Sequence, residues 1–129
     1  MTGQGHRLAR AEPLFLIAVG GFVGATLRYV ISTALPGGFP WGTLTVNVLG
    51  SFALGLLVTL PLDSRLSFVF ATGFCGAFTT FSSFAFETVR LYETGRRRRA
   101  ITNAVGSLGA ALVGVALGAG LGSVLASTL

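Results

Sequence analysis

Residues 76–87 read GAFTTFSSFAFE. Four hydroxyls, Thr79, Thr80, Ser82 and Ser83, stand in pairs between Phe78, Phe81 and Phe84, inside a stretch otherwise apolar enough to lie in a bilayer. Ser and Thr hydroxyls compete with the backbone for hydrogen bonds. Just upstream, GFCGAF (73–78) puts two glycines in the same segment. Together they predict a helix broken near its middle. Non-helical backbone at membrane depth persists only where it is buried in protein or lines a cavity. Such breaks expose carbonyls that can bind a cation and helix N-termini that favour an anion.

The surrounding chain sets the class. Of 129 residues, 52% are hydrophobic and 10% charged, with a mean hydropathy of +0.79, far too few charges for the surface of a water-soluble domain. Crossing the hydrocarbon core takes roughly 20 mainly apolar residues. Four stretches meet that length, at about 14–35, 42–60, 66–91 and 100–125, so residues 1–129 are predicted to form one all-α integral membrane domain of four transmembrane helices. The 19 glycines agree, because small residues let helices pack closely in lipid. Arginines followed by LFLIAVGGFVGATL and the small residues Ser32, Thr33 and Ala34 resemble a signal peptide. The apolar run continues past Arg28 and Tyr29, however, which favours a spanning helix.

Span 2 carries Thr43, Asn47, Ser51, Gly55 and Thr59, each four residues from the next. That spacing makes one slowly rotating polar and small stripe. Asn47 dominates it chemically, with two donors and an acceptor, either in an interhelical hydrogen bond or in a functional site. Span 4 has Gly106, Ala110, Gly114, Gly118 and Gly122 at the same spacing, a predicted packing seam. In span 1, Gly20 and Gly24 lead to Arg28, which either snorkels to the interface or faces a wet cavity.

All nine basic residues are arginine. Arg7, Arg10 and Arg65 fall on one predicted side of the bilayer. Arg28, Arg90 and the run Arg96 to Arg99 fall on the other. This is a mild bias for orientation by arginine count, and it permits insertion both ways and hence an antiparallel dimer. The arginine run reads as a lipid-headgroup anchor rather than a nucleic-acid surface, since no basic folded face supports it. Trp41, Tyr29 and Tyr92 near the span ends suit the headgroup region.

Enzymatic chemistry has little to stand on. His6 is the one histidine, Glu12, Asp63, Glu87 and Glu93 are placed at ends or loops, and Cys75 is alone. No paired carboxylates, metal-ligand spacing or base-activated nucleophile results. A path for a small anion fits better. An ion leaving water needs replacement donors, and Ser and Thr hydroxyls, the Asn47 amide and Arg28 supply them. Phe81 and Phe84, one turn apart, can add electropositive ring edges. Packing of these rings in a core is the bland alternative.

Three motifs, GGFVGATLRY (20–29), WGTLTVNVLGSF (41–52) and GFCGAFTTFSSF (73–84), in this order across four helices, resemble the Fluc (CrcB) family of fluoride channels over nearly the whole chain. The resemblance implies an antiparallel dual-topology dimer in a prokaryotic plasma membrane, exporting fluoride passively through pores along the subunit interface. It implies a structural sodium ion at the dimer centre, held by the backbone carbonyls of Gly76 and Thr79. Asn47, Phe81 and Phe84 would line the fluoride path, with Thr80 and Ser83 on a polar track beside it. Thr43, on the stripe that Asn47 heads, is grouped with them, and Arg28 would lie at a vestibule. The family often has two glycines where this chain has Gly76-Ala77, and TTFST where it has TTFSS. Asn103, Ser107 and Ala111 stand where some members carry a tyrosine and two serines. The partner is a second copy or a paralogous subunit. Rival readings are a small dual-topology proton-coupled multidrug exporter, which would want a carboxylate in span 1, and a non-transporting packing subunit.

Overall fold

The computed structural model describes residues 2–129, with side chains from residue 11 onward. Helix α1 (Thr2–Ala34) is followed by α2 (Trp41–Thr59), by a segment of three helical pieces at residues 64–78 (α3), by α4 (Phe81–Glu93) and by α5 (Arg97–Thr128). No strand occurs among the described residues. Four helical stretches, Ala11–Ala34, Trp41–Thr59, Ser64–Glu93 and Arg97–Thr128, are long and apolar enough to cross a membrane. Most of their large apolar side chains, among them Phe15, Phe22, Val58, Leu112 and Leu117, point away from the protein, as lipid-facing surfaces require.

Glycines decide which backbones touch. A methyl group at Gly20 would collide with the carbonyl of Val69, one at Gly24 with the carbonyl of Phe74, and one at Gly73 with the carbonyl of Ile17. Spans α1 and α3 therefore cross with their main chains in direct contact. The broadest contact joins α2 and α5, where Gly55 meets the Val115 carbonyl and Gly118 the Phe52 carbonyl. Gly114 and Gly122 complete this seam, whereas Gly106 has open space around it. The predicted seam is thus shorter than its spacing suggests, because the N-terminal part of α5 packs against α4 through polar groups instead.

The ends of the bundle are fixed by their charges. Glu12 pairs with Arg65 at 2.7 Å, joining the start of the first span to the first turn of α3. At the opposite end, Arg99 donates to the Gly38 carbonyl at 3.5 Å, joining the α1–α2 turn to the first turn of α5. Span 1 runs helically through Arg28 and Tyr29 to Ala34. The turns use glycine where the backbone needs it, at Gly37 (φ 146) and Gly95 (φ 84).

Within α3, residues Ser67–Cys75 take the wider π-helical turn and Gly76–Phe78 close one α-helical turn. Thr79 (φ −82, ψ 156) and Thr80 (φ −147, ψ 121) are extended, and helix resumes at Phe81. Wide turns of this kind are rare and recur at functional sites.

Candidate functional site

The two extended threonines are held from α2. The Thr80 N–H donates to Asn47 Oδ1 at 2.8 Å, and Asn47 Nδ2 donates back to the Thr80 carbonyl at 3.0 Å. The Thr80 hydroxyl then accepts from the Ser83 N–H at 3.2 Å and caps α4. Gly50, one turn beyond Asn47, has its Cα against Thr79 and Phe78, so α2 can approach only because no side chain stands there. Thr79 turns its own hydroxyl back to the Cys75 carbonyl at 2.9 Å.

These diversions leave carbonyls open, those of Gly76 and Thr79 among them. In an uninterrupted helix the Gly76 carbonyl would accept from the Thr80 N–H, and the Thr79 carbonyl from the Ser83 N–H. Both donors are engaged elsewhere, with Asn47 and with the Thr80 hydroxyl. Carbonyl oxygens freed at membrane depth need a substitute partner.

Beside the interruption lies an open groove of about 610 Å³, lined by Asn47, Gly76, Thr79, Thr80, Phe81 and Phe84, with Ser107 and Ala111 on its α5 wall. Phe81 is 79% exposed and its ring centroid is 5.9 Å from that of half-buried Phe84. Asn47 uses its acceptor and one of two donors on Thr80, leaving one N–H. The structure thus brings together most of the residues singled out from sequence. Ser83 is half-buried and contributes its backbone to the cap. Arg28 is half-buried on α1 and lines neither this groove nor the hollow described next.

Thr43 belongs to a second hollow, of about 410 Å³, with Glu87, Arg90 and Arg96. It donates to Glu87 Oε1 at 2.9 Å, and Glu87 Oε2 is buried without a hydrogen-bond partner. Sequence reading set Glu87 among carboxylates at ends and loops. It stands instead well inside α4 (Phe81–Glu93), one turn beyond Phe84 and Ser83. That i+3 and i+4 spacing on one helix face is the signal that would have found it.

A polar relay joins α4 to α5. Ser107 donates to Asn103 Oδ1 at 3.1 Å, Asn103 Nδ2 donates to the Thr88 hydroxyl at 2.8 Å, and Thr88 donates to the Phe84 carbonyl at 2.7 Å. Asn103 is 1% exposed. Thr88 went unnoticed in the sequence, where one threonine in an apolar helix carries no pattern.

Four apolar spans, the third of them interrupted at two threonines beside a groove lined by an amide, hydroxyls and aromatic rings, define a multi-pass helical membrane protein. Residues 15–119 match the model of the family described as CrcB-like protein, Camphor Resistance (CrcB), and the chain belongs to that family. It is 48% identical over 111 residues to a Haloarcula marismortui protein named fluoride-specific ion channel FluC 2, covering 85% of this chain and 93% of the relative. It is 43% identical over 120 residues to a protein named fluoride-specific ion channel FluC from Ruminiclostridium cellulolyticum (86% and 92% covered). A Thermus thermophilus protein of the same name is 43% identical over 122 residues (88% and 98%).

Proposed function

We propose that the chain is a subunit of a fluoride-selective channel that lets the anion leave the cytoplasm passively across the prokaryotic plasma membrane. The observation that carries this reading is the groove at the helix interruption, where Phe81, Phe84, Asn47 and Thr80 converge, together with the names of close relatives. Hydrogen fluoride crosses bilayers neutral and ionises inside, so a selective leak driven by a negative interior lowers internal fluoride without energy coupling. Such a channel performs no catalysis.

A dehydrated fluoride would meet the ring edges of Phe81 and Phe84 and the remaining Asn47 N–H. The groove is far larger than one small ion, given about 30 Å³ for a water molecule, and a second subunit is needed to narrow it. The reading is an antiparallel dual-topology dimer, of two copies or of two paralogues, embedded in lipid. A helix broken at Thr79 and Thr80 is then a working part of the interface.

The Gly76 and Thr79 carbonyls fit a structural sodium ion shared with the partner, because both lack their helical donors and hard cations take oxygen ligands. When bound, the ion supplies positive charge that offsets the cost of an anion nearby.

The test is efflux from liposomes holding the purified protein, read by a fluoride electrode and, in a matched run, by a chloride electrode. Fast fluoride release with little chloride release is the expected result. Equal release of both anions would end the claim of selectivity, and silence in both would point to a packing subunit or to an obligate second chain.

A further inference from the structure

The end of the α4–α5 turn and the first turn of α5 gather four consecutive arginines, Arg96 to Arg99, all exposed. Among the described residues the single ion pair is Glu12 with Arg65, at the other end of the bundle, so none of these four is in a direct ion pair with a carboxylate. Their positions are nevertheless organised. A Cβ built on Gly38 would meet Nη1 of both Arg99 and Arg96, so two guanidinium groups converge over the α1–α2 turn. The Arg97 guanidinium lies 4.9 Å from the centroid of the Tyr92 ring.

The chain enters α5 through Gly95 at φ 84, and no side chain caps the helix. Its first-turn N–H groups are left open, and a helix start favours an anion. Tyr92 and Trp41, each 52% exposed, flank the turn where two spans end. Aromatic rings of this kind settle at headgroup depth.

We propose that the Gly95–Arg99 turn, with Gly38 as its floor, is a binding site for the phosphodiester of an anionic phospholipid. Guanidinium forks pair with phosphate in a bidentate way that an ammonium cannot. At the end of two membrane spans, the lipid phosphate is the anion already present at high local concentration. The proposal stands independently of the transport reading, because its test measures bound lipid.

Purified protein would be titrated with phosphatidylglycerol and phosphatidylcholine and the retained lipid counted by native mass spectrometry. The wild-type chain should retain phosphatidylglycerol preferentially, with affinity falling about fivefold for each guanidinium removed. R98Q serves first, since the turn is exposed and the fold should stand. The variant R96Q/R97Q/R98Q/R99Q should lose the preference, while R65Q at the other end should keep it. Equal retention of both lipids by the wild type, or an unchanged preference in the fourfold variant, would overturn the proposal. Full retention by the corresponding lysine variant would show diffuse charge attraction and not a guanidinium site. Displacement of the lipid by millimolar inorganic phosphate would make the ligand a free anion, which also overturns it.

Discussion

The carboxamide of Asn47 grips the backbone of Thr80 at both ends, accepting from its N–H at 2.8 Å and donating to its carbonyl at 3.0 Å. One side chain on α2 thereby replaces the helical hydrogen bond that the Thr80 N–H gives up at the interruption, and adds a donor to the Thr80 carbonyl. Asn47 is a positioning group for the groove before it is a donor to any ion.

Asn47→Ala should therefore do two things at once. Leaving the Thr80 N–H unpaired costs about 1–3 kcal/mol, to be seen as a lower melting temperature in detergent. Fluoride efflux from liposomes should fall with it. A variant that melts like the wild type would show that the Thr80 backbone finds other partners.

Phe81→Ile should behave differently. The ring is 79% exposed in the subunit, so the chain should fold and melt nearly as before. Fluoride flux should drop strongly, because an aliphatic side chain has no electropositive edge. Undiminished flux would assign the ring to packing.

Among the α5 glycines, position matters more than spacing. Gly118→Ala drives a methyl into the Phe52 carbonyl and should destabilise the α2–α5 contact by about 1–3 kcal/mol. Gly106→Ala has open space and should be neutral in the same melting experiment. Equal effects would mean that Gly106 meets a neighbour absent from the isolated subunit.

Asn103→Leu would leave the Thr88 and Ser107 hydroxyls without their shared partner. A loss of about 1–3 kcal/mol is expected, read as faster hydrogen exchange at the α4–α5 contact. No change in exchange would argue that Thr88, already bonded to the Phe84 carbonyl, needs nothing further.

For the sodium reading, exchange of sodium for a bulky organic cation throughout purification should lower the melting temperature of the assembled protein, since ligand binding to the folded state alone stabilises it. Identical melting curves in the two cations would count against an ion at Gly76 and Thr79.

The class of this protein was legible in its composition, because a chain with 10% charged residues and four long apolar stretches has few ways to fold other than as helices in lipid. Local chemistry went further, since TTFSSF contains the two extended threonines, whereas the wide turn over Ser67–Cys75 had no signal in that motif. Which groups meet was decided only in three dimensions. The span 2 stripe rotates slowly, so Thr43 turns to Glu87, Asn47 to Thr80, and Gly55 to α5. Spacing of four cannot say where along a drifting stripe the neighbour changes. The relay of Thr88, Asn103 and Ser107 likewise joins residues up to 19 apart across two helices, and the orphaned oxygen of Glu87 exists only once α2 and α4 enclose it. Hydropathy acts residue by residue and is written along the chain, whereas a hydrogen bond between helices depends on rotation and depth, which packing alone sets.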